Sequence, residues 1–170
     1  SSPVLAPEMI GTTLCGRYRV LEEIGHGGMG VVYKAHDETL KIPVAVKVLR
    51  LSSRADELAR QRFLQEALQL APMAHPNVVR VSNYCQDQGV DCLVMEFVPG
   101  VTLDEVLRGG PLPESEIVNL GMQLADGLSA AHAQKLMHRD LKPGNLRVTP
   151  EGRLMILDFG LAKKLLDSSA

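Results

Sequence analysis

The chain has 170 residues, with 18 Lys and Arg against 20 Asp and Glu, and is 45% apolar and 22% charged. This balance belongs to a soluble globular protein and excludes disordered, collagen-like and coiled-coil chains. A formal charge of −2 gives no global attraction to polyanions and no local basic patch stands out, so no nucleic-acid partner is expected.

No apolar run approaches the roughly 18 residues of a membrane span, and the N-terminus lacks a basic stretch followed by an apolar one. Cys15, Cys85 and Cys92 are odd in number and lack C-x-x-C spacing. They indicate neither a disulfide framework nor a zinc site, and a reducing cytoplasm fits best.

Residues 1–16, with Pro3, Pro7, Gly11 and Gly16, read as a leader or linker. Residues 17–24 mix aliphatic and charged side chains as a strand does, and "GHGGMG" at 25–30 predicts a glycine turn. Val31, Val32 and Tyr33 are β-branched and aromatic, so a second strand leaves that turn. After Pro43, residues 44–49 form an apolar run interrupted only by Lys47, a third strand. Ser53 and Asp56 resemble a capping box, and Leu58, Phe63, Ala67 and Leu70 continue at helical spacing. Residues 78–85 and 92–97 predict two strands joined around Gln88 and Gly89, with Pro99 and Gly100 as a hinge. The first half is thus expected to hold five strands and one long helix.

The second half changes texture. Residues 102–107 predict a short helix. Residues 114–135 predict a long one, with Ile117, Leu120, Leu124, Leu128 and Ala131 on one face. "MHRDLKPGN" is too polar and too rich in Pro and Gly for helix or strand. Residues 146–149 and 154–157 flank Pro150, Glu151 and Gly152 as a hairpin.

Taken alone, Gly25-x-Gly27-x-x-Gly30 is weak evidence, because glycine turns are often only structural. A dinucleotide site would need a helix after the glycines, and a strand is expected instead. A glycine hairpin between strands can bring bare backbone N–H groups close to a triphosphate. Lys47 inside an apolar strand is costly without an anionic partner, and Glu66, mid-helix, is the candidate.

The decisive stretch is His138-Arg139-Asp140-Leu141-Lys142-Pro143-Gly144-Asn145 followed by Asp158-Phe159-Gly160. Together with "GHGGMG", "VAVK" ending at Lys47, Glu66 and the "HPN" turn at 75–77, these motifs resemble the protein kinase family in order and spacing. Lys142 and Pro143 look like the Ser/Thr-specific subgroup, and "GGMGVVYKA" like its bacterial branch. The resemblance implies an α+β, protein kinase-like fold. A five-stranded antiparallel N-lobe sheet with one long helix spans 17–98, and a partial, mostly helical C-lobe spans 99–170. It also implies transfer of phosphate from ATP, with Mg²⁺ or Mn²⁺, to Ser or Thr hydroxyls of protein substrates, inside the cytoplasm.

The roles implied follow residue by residue. Asp140 would take the proton of the attacking hydroxyl and Lys142 would neutralise the γ-phosphate. Asn145 and Asp158 would bind the metal, and Lys47, fixed by Glu66, would hold the α and β phosphates. Gly25, His26, Gly27, Gly28, Met29 and Gly30 would cover the phosphates. Val32, Ala45, Met95 and the backbone of Glu96 and Val98 would surround adenine.

Two departures stand out. Arg147 replaces the aliphatic residue expected beneath adenine, and must snorkel away or stack on the base. The chain also ends ten residues past Gly160, before the rest of the activation segment and the A-P-E motif. It therefore reads as a piece of a longer kinase, expected to self-associate or be complemented through a long helix left bare. The competing reading is a non-catalytic nucleotide-binding or interaction module, a truncated pseudokinase-like regulator.

Overall fold

The computed structural model describes residues 9–27, 30–50, 54–136 and 141–157. They divide into two compact units, one running up to Ala67 and resuming over Val81–Phe97, the other holding Leu68–Arg80 and everything from Val98 on.

The first unit is an antiparallel sheet. Its strands are β1 (Thr13–Leu14), β2 (Tyr18–Gly27), β3 (Gly30–Asp37), β4 (Ile42–Arg50), β5 (Val81–Asp87) and β6 (Val90–Glu96). They lie in the order β1-β2-β3-β4-β6-β5. The long helix α1 covers Arg54–Leu70, and Ser53 of the expected capping box lies outside the described residues. The five expected strands all form. A sixth, β1, comes from the segment read as a leader, and two residues are too few to leave a periodic signal.

Alternation sorts the sheet into two faces. Tyr33, Ala35, Val44, Val46, Val48, Cys92 and Val94 pack with Leu14, Tyr18 and Val20 into the hydrophobic core. The β5–β6 turn has Gln88 at φ 49° and Gly89 at φ 78°, with Asp87 paired to Val90. Two positive φ angles give the turn the twist a two-residue hairpin needs.

The cysteine expectation is corrected: Cys15 and Cys85 form a disulfide across 70 residues of sequence. Spacing arithmetic is blind to it, because the two meet only once the turn after β1 is brought beside the edge strand β5. The Cys15 N–H also donates to the Asp87 carboxylate at 2.7 Å.

Asp37 closes the β3–β4 turn. Its carboxylate accepts Arg17 Nε and Nη2, both at 2.9 Å, and the amides of Thr39 and Leu40 at 2.9 and 3.1 Å.

The second unit contains β7 (Val101–Thr102), α2 (Leu103–Arg108), α3 (Glu114–Ala133), a 3₁₀ turn (Pro143–Asn145), β8 (Leu146–Val148) and β9 (Leu154–Ile156). Thr102 caps α2 by accepting the Glu105 N–H at 3.2 Å. The β8–β9 hairpin forms around Gly152, at φ 84°, and β7 adds a third strand. Helix α3 stops two residues before the expected Lys135, which takes φ 61° while the Leu136 N–H returns to the Ala131 carbonyl at 2.9 Å. That left-handed residue ends the helix.

The α3 stripe is less bare than expected. Leu120 and Ala131 are buried and Leu124 and Leu128 half-buried, while Ile117, Val118 and Met122 remain exposed. Gly127 explains the close packing, since a Cβ there would stand 2.9 Å from Ile156 Cδ1 and 3.2 Å from Asn77 Cβ. No helix among the described residues is long and apolar enough to cross a membrane.

The Arg17 guanidinium, with the Leu40 and Thr39 amides, outweighs burial and holds the Asp37 carboxyl at about 2. A depressed folded-state pKa contributes stability above the unfolded value near 4, lost as pH falls from about 4 towards 2. Melting curves from pH 7 to 2 should therefore show Asp37→Asn less stable than the parent at pH 7 and less sensitive to acid below pH 4. Parallel pH profiles would contradict this assignment.

Candidate functional site

The glycine segment is the end of a hairpin. Gly25 pairs with Val32, His26 with Val31 and Gly27 with Gly30, while Gly28 and Met29 lie outside the described residues. A strand follows the glycines, so no helix N-terminus can meet a pyrophosphate here as a dinucleotide site requires. Among the described residues no atom lies within 4 Å of where a Cβ at Gly25 would stand, so none of them forbids a side chain there.

Strand β4 sets the next group. Lys47 pairs with Val32 on one side and Leu93 on the other, and Ala45 with Lys34 and Met95. Directly paired antiparallel residues share a face, so Val32, Ala45, Lys47 and Met95 line the face opposite the core. Lys47 is 6% exposed, buried although cationic.

Helix α1 is fastened to that same face by a cluster that sequence reasoning missed. Arg60 Nε meets the Asp91 carboxylate at 2.7 Å, Gln86 Nε2 donates to its other oxygen at 2.9 Å, and Glu57 reaches Arg60 at 3.2 Å. Asp91 pairs with Gln86 across the ladder, and Tyr84 with Leu93, which puts all four on the Lys47 face. The Tyr84 hydroxyl first, then the Glu57 and Asp91 carboxylates, raise the Arg60 pKa further above its ordinary value. Glu66 belongs to α1, and its side chain lies outside the described residues.

In the second unit, Lys142 opens the 3₁₀ turn and its carbonyl accepts the Asn145 N–H at 2.9 Å. The Asn145 carbonyl in turn accepts the Leu157 N–H at 3.0 Å. That bond holds the main chain of Asn145 beside the residue preceding Asp158. Asp140 and Asp158 themselves lie outside the described residues, as do His138 and Arg139.

Beneath this turn, "HPN" acts as architecture. Asn77 is buried. Its Nδ2 donates to the Leu154 carbonyl at 2.9 Å and to Gln123 Oε1 at 3.0 Å, and its carbonyl accepts the Ile156 N–H at 2.8 Å. Gln123, on α3, also accepts the Leu154 N–H at 2.8 Å and donates to Gly152 at 3.0 Å. Asn77 and Gln123 thereby lock β9 to α3.

Arg147 resolves its dilemma by turning to the main chain, with Nη1 3.3 Å from the Val98 carbonyl and 3.5 Å from that of Gly100. Gly100 has φ 112°, and a Cβ there would collide with the Val148 carbonyl. Glycine is obligatory at that position.

A sequence profile described as the protein kinase domain matches residues 18–170. The chain belongs to the protein kinase family. It is similar to the probable serine/threonine-protein kinase PknB of Lactococcus lactis, 38% identical over 162 residues, covering 94% of this chain and 26% of that protein. It is likewise 42% identical over 163 residues to the serine/threonine-protein kinase pkn2 of Myxococcus xanthus, covering 94% and 19%. Among solved structures, the apo form of PpkA-294 superposes with a TM-score of 0.84 at 25% identity, covering 94% of this chain and 64% of that one. The chain thus spans about a fifth to a quarter of the length of these curated relatives, and under two thirds of the solved chain.

Of the residues expected to bind nucleotide in this kinase chain, Gly25, Val32, Ala45, Lys47 and Met95 come together on the first unit's sheet. Glu96 ends β6. Lys142, Asn145, Arg147 and Val98 belong to the second unit. Asp91 and Gln123 left no local signal, because each acts on a partner distant in sequence. Replacing Asp91 by Ala should strip Arg60 of its buried partner and cost about 2 kcal/mol in urea unfolding. Asp91→Asn, which still accepts a hydrogen bond, should lose less, and equal stability of Asp91→Ala and the parent would contradict the fastening role.

Proposed function

We propose that this chain carries the nucleotide-binding and phosphoryl-transfer residues of a serine/threonine protein kinase, passing the γ-phosphate of ATP to Ser or Thr hydroxyls of protein substrates. The observation that carries the reading is the β4 register, which aligns Val32, Ala45, Lys47 and Met95 on one face away from the core. That face offers apolar contact for a purine at Val32, Ala45 and Met95, and one buried cation for phosphates at Lys47. Helix α1, with Glu66, would set the position of that cation.

The hairpin of Gly25, His26, Gly27, Gly28, Met29 and Gly30 would present backbone N–H groups to the phosphates, with no side chain at the glycines to keep oxygens at a distance. Asp140 would accept the substrate hydroxyl's hydrogen bond and then its proton, and Lys142 would offset charge on the transferred group. Asn145 and Asp158 form a hard-oxygen pair suited to Mg²⁺ or Mn²⁺, and the bond from Leu157 to Asn145 supports their pairing. When bound, the metal neutralises charge on the phosphate oxygens. The ATP requirement favours a cytoplasmic setting. Exposed Ile117, Val118 and Met122 on α3 support the further proposal that this surface meets another part of the kinase or a second copy.

One observation favours the second reading, a non-catalytic nucleotide-binding or interaction module. The Arg147 guanidinium donates to the carbonyl of Val98, whose backbone would otherwise face adenine.

Mg·ATP binding by calorimetry followed by radiolabelled phosphate transfer, to the chain itself and to a Ser/Thr-rich carrier protein, tests the proposal. Asp140→Asn should bind ATP as the parent does yet transfer phosphate about a hundredfold more slowly or less. Binding by the parent with transfer no faster than Asp140→Asn would favour the module. Arg147→Leu should bind ATP about fivefold more tightly by restoring roughly 1 kcal/mol of apolar contact. Equal affinities would overturn that role for Arg147.

A further inference from the structure

All three cysteines of the chain converge on the core side of the first unit, remote from the face that carries Lys47. Cys15 follows β1, Cys85 lies on β5 and Cys92 on β6, and their sulfur atoms all lie within 4.8 Å of one another. Cys15 and Cys85 are bonded, and Cys92 is a buried free thiol. Cys92 stands directly across the ladder from Cys85. Directly paired antiparallel residues have Cα atoms roughly 4.5–5.5 Å apart, inside the span that disulfides bridge. Cys85 therefore has two partners within reach and can hold only one.

We propose that the trio is a thiol–disulfide exchange site, whose bridge moves between Cys15–Cys85 and Cys85–Cys92. In the forward step the Cys92 thiolate attacks the Cys85 sulfur. A Cys85–Cys92 bond forms, the Cys15–Cys85 bond breaks, and Cys15 leaves as a thiolate that takes up the proton Cys92 gave up. One disulfide and one thiol stand on each side, so no oxidant or reductant is consumed.

The two registers differ in what they expose. In the register observed, the free thiol is fully buried Cys92. After exchange it is Cys15, half-buried and open to alkylation, glutathionylation or oxidation by small molecules. Exchange also releases the covalent tie between the segment ahead of β2 and the edge strand β5, leaving the bond from the Cys15 N–H to Asp87. Burial first, then Asp87 and Asp91, push the Cys92 thiol up to about 11. The reactive thiolate is accordingly scarce near neutrality and grows about tenfold per pH unit below that value. The exchange is slow at pH 7 and base-accelerated.

The test uses the full chain, purified without reductant and alkylated under native conditions with excess iodoacetamide at pH 7 and pH 9. Peptide mass spectrometry then locates the label and the bridge. The expected result is label on Cys15 with a Cys85–Cys92 cross-link, accumulating up to about a hundredfold faster at pH 9, and no labelled cysteine in Cys92→Ala. Label on Cys92 with Cys15–Cys85 intact, or no label on any cysteine at either pH, overturns the proposal. A second variant removes dependence on rate: Cys15→Ser, folded by circular dichroism and exposed to oxidised glutathione, should form the Cys85–Cys92 bridge. Two unbridged cysteines in that folded variant overturn it.

Discussion

The first unit depends on strand β4 being paired on both sides without a bulge. Its register with β3 and β6 is continuous from Ile42 to Arg50, so side chains alternate strictly between faces. Val44, Val46 and Val48 enter the core, and Ala45 and Lys47 take the other side. A slip of one residue would drive the Lys47 ammonium among valines, at a desolvation cost of several kcal/mol. The register that satisfies the hydrophobic core is therefore the same one that presents the lysine. Core packing and the candidate site are specified by a single constraint, and neither can be shifted without the other.

Around that strand, polar groups do the positioning that apolar packing leaves undetermined. Hydrophobic contact is non-directional and does not by itself fix how α1 lies on the sheet. The Arg60–Asp91 pair, with Gln86 beside it, supplies direction through short bonds onto the buried Asp91 carboxylate. Asn77 and Gln123 do the same in the second unit, each making several bonds that tie β9 to α3. Leaving one such partner unmet would cost more than the bond itself contributes. In both units the groups that orient the candidate site are thus held by polar contacts centred on one buried side chain, Asp91 in the first and Asn77 in the second.

Features decided locally could be read from the sequence. The glycine hairpin followed from Val31, Val32 and Tyr33 after the glycines, the β5–β6 turn from Gln88 and Gly89, and the β8–β9 hairpin from the Pro150 to Gly152 turn. Features decided by distant partners could not be read. Strand β1 is two residues long, and Cys15 finds Cys85 across 70 residues. Asp91 looks like any surface acid until α1 is laid over it. The apolar periodicity of α3 gave its buried side but not its stopping point, which Lys135 sets by adopting φ 61°. Arg147 was recognisable as an anomaly, while its bond to Val98 required the fold. Kinase membership was readable because its motifs are ordered along the chain and need no three-dimensional knowledge.

Amide hydrogen exchange, with and without a non-hydrolysable ATP analogue and Mg²⁺, bears most directly on the assignment of the Lys47 face as the nucleotide site. That assignment predicts slowed exchange in peptides covering 25–32 and 95–98, with the effect lost in Lys47→Met and retained in Asp37→Asn. Unchanged exchange in those peptides, or protection that persists undiminished in Lys47→Met, would contradict it.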